Sequence, residues 1–268
     1  MIEVRNVSKS FHEHQVLDGI TLAVQTGETM VIIGRSGCGK SVLLKHIIGL
    51  LRPDAGAILI DGVDICQLSG VSLDRLRLRF GMLFQGAALF DSMTVAENVG
   101  FSLREHTAMT PETVQKRVRE CLQLVGLEWR VADLHPSELS GGMRKRVGLA
   151  RALAMNPDII LYDEPTTGID PIMGDIINDL IKSLRDQLKV TSVVVTHDMR
   201  SAYKVADRIA MLYNGKIVGV GSPDEIRNSP DPVIQQFIRV EASGPIQEGL
   251  PDRRVLSRWE PRPGRGAH

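Results

Sequence analysis

The chain has 268 residues, enough for one large domain or two modest ones, and its 43% hydrophobic and 24% charged content is ordinary for a soluble globular protein. Lys+Arg and Asp+Glu both number 32, so no global field draws a polyanion, which argues against nucleic acid as a partner. Cys38, Cys66 and Cys121 are odd in number and lack metal-ligand spacing, as suits a reducing cytosol, and no apolar run approaches the ~20 residues of a membrane helix.

No signal peptide is expected, since Met1-Ile2-Glu3-Val4-Arg5 is already strand-like. β-patterned segments run from Ile2 to Val7, from Ile20 to Val24 and from Thr29 to Ile33. The last leads into Gly34-Arg35-Ser36-Gly37-Cys38-Gly39-Lys40-Ser41, which matches the phosphate-loop pattern G-x-x-x-x-G-K-[ST] at every fixed position. Val42-Leu43-Leu44-Lys45-His46-Ile47-Ile48 then reads as a helix with an apolar stripe. The glycines let successive N–H groups point into one concavity, and the helix dipole adds to that anion site. Lys40 would give a point charge to the outer phosphates and the Ser41 hydroxyl a ligand to magnesium. Cys38 reads as a small filler at a variable position. Phe11, ahead of this loop, is either a core residue or a surface for an adenine ring.

Leu51-Arg52-Pro53-Asp54-Ala55-Gly56 is a turn into Ala57-Ile58-Leu59-Ile60-Asp61-Gly62, whose alternation suggests a strand of a small antiparallel layer. Phe80-Gly81-Met82-Leu83-Phe84 is a buried strand ending at Gln85, and from there to about Glu138 the pattern is helical. Thr94 and Glu97 form a capping box, and Thr110-Pro111 opens a further helix whose buried face is Val114, Val118, Cys121, Leu122 and Val125. Gln85 is the hinge of this all-helical insert.

Leu139-Ser140-Gly141-Gly142-Met143 precedes a strong helix, with Ser140 as N-cap and two glycines that leave the first amides open to an anion. Ile159-Ile160-Leu161-Tyr162 is a buried strand ending in Asp163-Glu164, and two adjacent carboxylates there are costly unless they hold a metal or do chemistry. Asp163 is the candidate magnesium ligand and Glu164 the general base toward an attacking water. Pro171 starts a helix through Leu188, and Val193-Val194-Val195 is a strand ending in Thr196-His197-Asp198. A lone His is most often structural, but the end of a parallel-type strand is where open α/β sheets carry ligand groups. Residues 209–220 read as a hairpin around Asn214-Gly215, and short helices start at Pro223 and Pro232. From Glu241 a Pro- and Arg-rich tail follows; it is either disordered or docked on another surface through Trp259.

Together these features resemble, over residues 2–235, the ATPase subunit of ABC transporters. The resemblance implies an α/β P-loop NTPase with an antiparallel β layer and a helical subdomain inserted at about residues 86–155. It divides the chain into an ATPase domain over 1–240 and an extension over 241–268. It implies ATP and Mg2+, with Phe11 stacking on adenine, residues 34–41 and Val42 binding phosphate, and Gln85 contacting magnesium and water. Ser140, Gly141 and Gly142 would face the γ-phosphate of a nucleotide held by a second copy of the chain. Asp170 belongs to the dimer-contact loop, and His197 joins Glu164 in catalysis. Met143 departs from the usual Gln, and Gly168-Ile169 from the usual small-residue–Leu pair; neither removes a phosphate or metal contact.

The stretches 81–92, 139–146 and 165–172 are more narrowly similar to Mla-type ATPases, which serve MCE-protein phospholipid transport between bacterial membranes. That likeness implies a homodimer on the cytoplasmic face of the inner membrane. Its partners would be an integral-membrane permease, an MCE protein reached through the permease, and a small STAS-domain protein. The competing readings are a small-solute importer ATPase and a non-transport ABC protein.

Overall fold

In the computed structural model, which describes residues 1–241 and 243–246, the chain forms two sheets and the helices around them. β1 (Ile2–Phe11) and β2 (His14–Val24) make an antiparallel hairpin with Ile2 opposite Val24 and Phe11 opposite His14. Both outrun the sequence reading, which ended the first at Val7 and began the second at Ile20. The added residues nearest the hairpin tip, Ser10, Phe11, His14 and Gln15, are exposed and lack alternation, so cross-strand pairing makes them strand.

β3 (Thr29–Ile33) leads through the phosphate loop to α1 (Lys40–Ile47). β4 (Ala55–Ile60) pairs antiparallel with β1, and β5 (Val63–Asp64) completes a four-stranded sheet in the order β2-β1-β4-β5. The inner residues of this layer, among them Ile2, Val4, Leu17, Ile20 and Ile58, share one core with Ile32, Leu43 and Leu44. α2 (Gly70–Arg77) buries none of its residues, which is why no apolar stripe announces it.

β6 (Phe80–Leu83), β7 (Ile159–Asp163) and β8 (Thr191–Thr196) join β3, β9 (Arg208–Tyr213) and β10 (Lys216–Gly221) in a six-stranded sheet. Its order is β10-β9-β3-β8-β7-β6, parallel except for β10. Every residue of β3, β6, β7 and β8 is buried, as continuous apolar runs between two covered faces require. Asn214 and Gly215, at φ 46° and 73°, make the two-residue turn of the β9–β10 hairpin.

Between β6 and β7 lie α3 (Val95–His106), α4 (Pro111–Leu124) and α5 (Gly141–Leu153). The Thr94–Glu97 capping box is formed, Thr110 caps α4 with Pro111 in its first turn, and Val114, Val118, Cys121, Leu122 and Val125 are buried. α5 lies close on β6. A Cβ at Gly81 would stand 2.5 Å from the Ala152 carbonyl oxygen, and one at Gly148 would stand 3.0 Å from Leu83. α6 (Pro171–Leu188) and α7 (Met199–Val205) flank β8, and α8 (Pro223–Arg227) follows β10.

The chain divides into two compact units, Met1–Asn228 and a unit from Ser229 onward. In the second, Asp231 caps α9 (Pro232–Arg239), and the chain turns back so that Gln236 exchanges hydrogen bonds with the Ile246 backbone. Trp259 and the tail arginines lie outside the described residues. Among the described residues, no helix is long and apolar enough to cross a membrane.

Candidate active site

Strand register gathers the sequence's polar signals at one edge of the sheet. Ile33 pairs with Thr196, Val195 with Asp163, and Tyr162 with Leu83, so neighbouring strands end side by side. The phosphate loop follows β3, His197 follows β8, Asp163-Glu164 ends β7 and Gln85 follows β6. This is the carboxyl-end crevice where open α/β sheets hold ligands.

The loop depends on its glycines at two places. Gly34 has φ 154°, and a Cβ there would sit 2.4 Å from the Leu212 carbonyl oxygen, so no side chain fits. Gly39, at φ 104°, precedes α1, and no side chain caps that helix, so its first-turn amides face outward to an anion. Ser36 and Gly37 are exposed, Arg35 and Cys38 half-buried, and Val42 packs its side chain on the core. Burial pushes the Cys38 thiol up against the pull of Lys40, as befits a filler and not a thiolate nucleophile.

Lys40 is 5% exposed; its ammonium donates to the carbonyl oxygens of Gly34 at 2.8 Å and Arg35 at 2.9 Å, and lies 3.4 Å from Glu164 Oε1. Ser41 Oγ donates to Asp163 Oδ1 at 2.7 Å. Glu164, 7% exposed, holds an unusual left-handed backbone at φ 47°. Its N–H donates to the Val195 carbonyl at 3.0 Å. Its Oε2 accepts from Thr167 Oγ1 at 3.2 Å and stands 2.9 Å from His197 Nδ1. The other face of His197 is open, its side chain being 48% exposed. Phosphate loop, both carboxylates and His197 therefore form one connected cluster.

Gln85 is exposed at the turn after β6, and its carbonyl accepts from the buried Lys145 Nζ at 2.5 Å. Lys145 also donates to the Glu164 carbonyl at 3.0 Å. Neither Lys145 nor Thr167 was singled out in the sequence. The signal for Lys145 was its place on the stripe Gly142, Lys145, Leu149, Ala152, which is the buried face of α5. Thr167 carried no comparable signal.

The remaining predicted residues make their hydrogen bonds elsewhere, although Asp170 lines one cavity with Thr167 and His197. Phe11 ends β1 with its ring 40% exposed and the Lys9 ammonium 5.6 Å from the ring centre, so the core alternative fails. Ser140 is exposed and caps α5 by accepting from the Met143 N–H at 3.3 Å. Gly142 is buried against Met173 of α6, where a Cβ would meet the Met173 methyl at 2.6 Å, and Gly141 faces Ile169. Asp170 caps α6 through the Ile172 and Met173 amides.

Among the described residues no group of three or more His, Cys, Asp or Glu side chains is arranged to hold a metal unaided. The adjacent Ser41 hydroxyl and Asp163 carboxylate nevertheless fit Mg2+, which takes one or two protein oxygens and completes its shell with water and substrate phosphates.

The family model described as ABC transporter matches residues 17–167. The probable ribonucleotide transport ATP-binding protein mkl of Mycobacterium leprae is 44% identical over 91% of this chain and 70% of its own length. The intermembrane phospholipid transport system ATP-binding protein MlaF of Haemophilus influenzae is 42% identical over 94% of this chain and 95% of its own. Among solved structures, the dimeric post-hydrolysis state of the ATP-binding cassette MJ0796 bound to ADP and Pi is 37% identical with a TM-score of 0.77, covering 83% of this chain and 99% of that one.

Proposed function

The chain belongs to the ABC transporter family, and from that premise we propose that it is the ATP-hydrolysing subunit of a transporter that moves phospholipid between two membranes. The hydrolytic part rests on Glu164, a buried carboxylate held at once by Thr167 and His197 and facing the phosphate-loop lysine. The lipid part rests on the Haemophilus relative, with which the chain aligns almost from end to end.

ATP lies with its phosphates on the amides of residues 34–41 and Val42, beside the Lys40 charge, and its adenine on the exposed Phe11 ring. Ser41, Asp163 and Gln85 would hold Mg2+, which when bound neutralises charge on the phosphate oxygens. Glu164 takes a proton from the attacking water, and His197 orients that carboxylate through Nδ1. Ser140, Gly141 and Gly142 complete the site of a second copy, so that two chains share two nucleotides. Asp170, at the start of α6, lies in the dimer-contact loop. A helix end contributes about 0.3–2 kcal/mol toward a nearby anion, so the γ-phosphate favours closure and its loss favours opening.

Residues 1–240 act as the ATPase domain, 86–155 as the helical subdomain that carries the motion from Gln85 to a permease, and 241–268 as an extension. The complex sits at the cytoplasmic face of the bacterial inner membrane, with an MCE protein beyond the permease and a small STAS-domain protein as a further partner. A small solute is the second reading, supported by the Mycobacterium leprae relative, a probable ribonucleotide transport ATP-binding protein. Mass spectrometry of what co-purifies with the chain and its permease separates the two. A deletion strain should also accumulate phospholipid in the outer leaflet of its outer membrane; normal lipid distribution with failed uptake of one soluble nutrient would favour the second reading.

A further inference from the structure

We propose that Lys145 is a positioning residue that locks the Gln85 turn and the Glu164 turn into one geometry and ties both to the helix that begins at Ser140. Lys145 is 4% exposed, and both of its acceptors are backbone carbonyls, that of Gln85 at 2.5 Å and that of Glu164 at 3.0 Å. An ammonium taken out of water is costly unless it is well bonded, and a neutral residue would pack here without that cost. Burial lowers its pKa while the Asp163 and Glu164 carboxylates pull it back up.

The two turns are places where the backbone needs such a tie. Glu164 is left-handed at φ 47°, with its N–H fixed to the Val195 carbonyl and its own carbonyl fixed to Lys145. Both peptide planes beside this residue are thereby set, and with them the direction of its carboxylate. After Gln85 come Ala87 and Ala88, at φ 62° and 48°, whose carbonyls accept from Arg151 at 2.8 and 2.7 Å. Two cations of α5 therefore clamp the 85–88 turn, and one of them reaches across to the base. On the reading proposed above, Ser140 serves the nucleotide of one site and Glu164 the other, and Lys145 links the helix of the first to the backbone of the second by a hydrogen bond.

The test is Lys145→Met in the full chain, with Glu164→Gln alongside. Phosphate release should fall roughly 10- to 100-fold, as for a displacement of about 1 Å at a catalytic group, while affinity for a fluorescent ATP analogue stays within about twofold. Amide exchange should rise at 85–88 and 164–168 but not at 34–41. Lys145→Gln, whose amide donates two hydrogens, should recover part of the rate and of the protection; it also carries the test if the Met variant does not fold. Parent turnover in a folded Lys145 variant, or unchanged exchange at both turns, overturns the proposal. If Glu164→Gln is inactive and Lys145→Met is not impaired, only the role of Lys145 fails; if Glu164→Gln itself turns over normally, the assignment of the base fails.

Discussion

At the carboxyl ends of β3, β7 and β8, the groups that face phosphate are already tied to one another. Lys40 meets Glu164, Ser41 meets Asp163, and Glu164 meets Thr167 and His197, with both carboxylates and the lysine almost wholly buried. The start of α5 is built otherwise, since Ser140 is exposed and its hydroxyl does no more than cap its own helix. A cross-linked cluster keeps its geometry within one chain. On the reading proposed above, an exposed cap with two glycines is an anion site that a second copy of the chain completes.

The sharpest way to break this contrast is Glu164→Gln. Binding of MgATP should persist while turnover falls about 10²–10⁴-fold, the usual cost of removing a general base. Steady-state phosphate release beside a nucleotide titration reads both, and turnover near the parent rate would overturn the assignment of the base. The next test separates the two regions between chains. Lys40→Ala should weaken nucleotide binding, whereas Ser140→Arg should leave binding intact and block closure. Mixing the two inactive variants should return activity, and a mixture as inactive as its components would mean that the start of α5 does not serve a partner's nucleotide.

Gly34→Ala probes how tightly the cluster is built. With the new Cβ aimed at a backbone carbonyl, the loop must shift, costing about 1–3 kcal/mol in stability along with nucleotide affinity; a melting curve and a titration measure both. The smallest effect should come from Thr94→Ala in the insert. Loss of the capping-box hydroxyl should cost about 0.5–2 kcal/mol and leave nucleotide affinity unchanged. A fall in affinity would mean that the two regions are not energetically separate.

Much of this contrast was legible before the structure, for a physical reason. Phosphate loops, caps and strand-end carboxylates are local devices, so Gly34 to Ser41, Thr94 with Glu97, Ser140, and Asp163-Glu164 could be read where they stand. What escaped was non-local or nearly featureless. The tip of the β1–β2 hairpin exists through cross-strand pairing, α2 buries nothing, and α7 is short. Phe11 stayed ambiguous because its exposure depends on where the hairpin ends. Lys145 was hidden by its company: in Arg144-Lys145-Arg146 it looks like one solvated charge of a run, yet its helical phase turns it inward to two carbonyls sixty and nineteen residues away.

The left-handed turn at Glu164 has a consequence for substitution. A side chain with a Cβ is held there against its backbone preference, at a cost of about 1–3 kcal/mol, whereas Gly or Asn sits at such angles readily. Replacing Glu164 would, however, leave the buried Lys40 ammonium without its carboxylate, a loss at least as large as the strain relieved, so the contacts that aim this side chain also keep it in place.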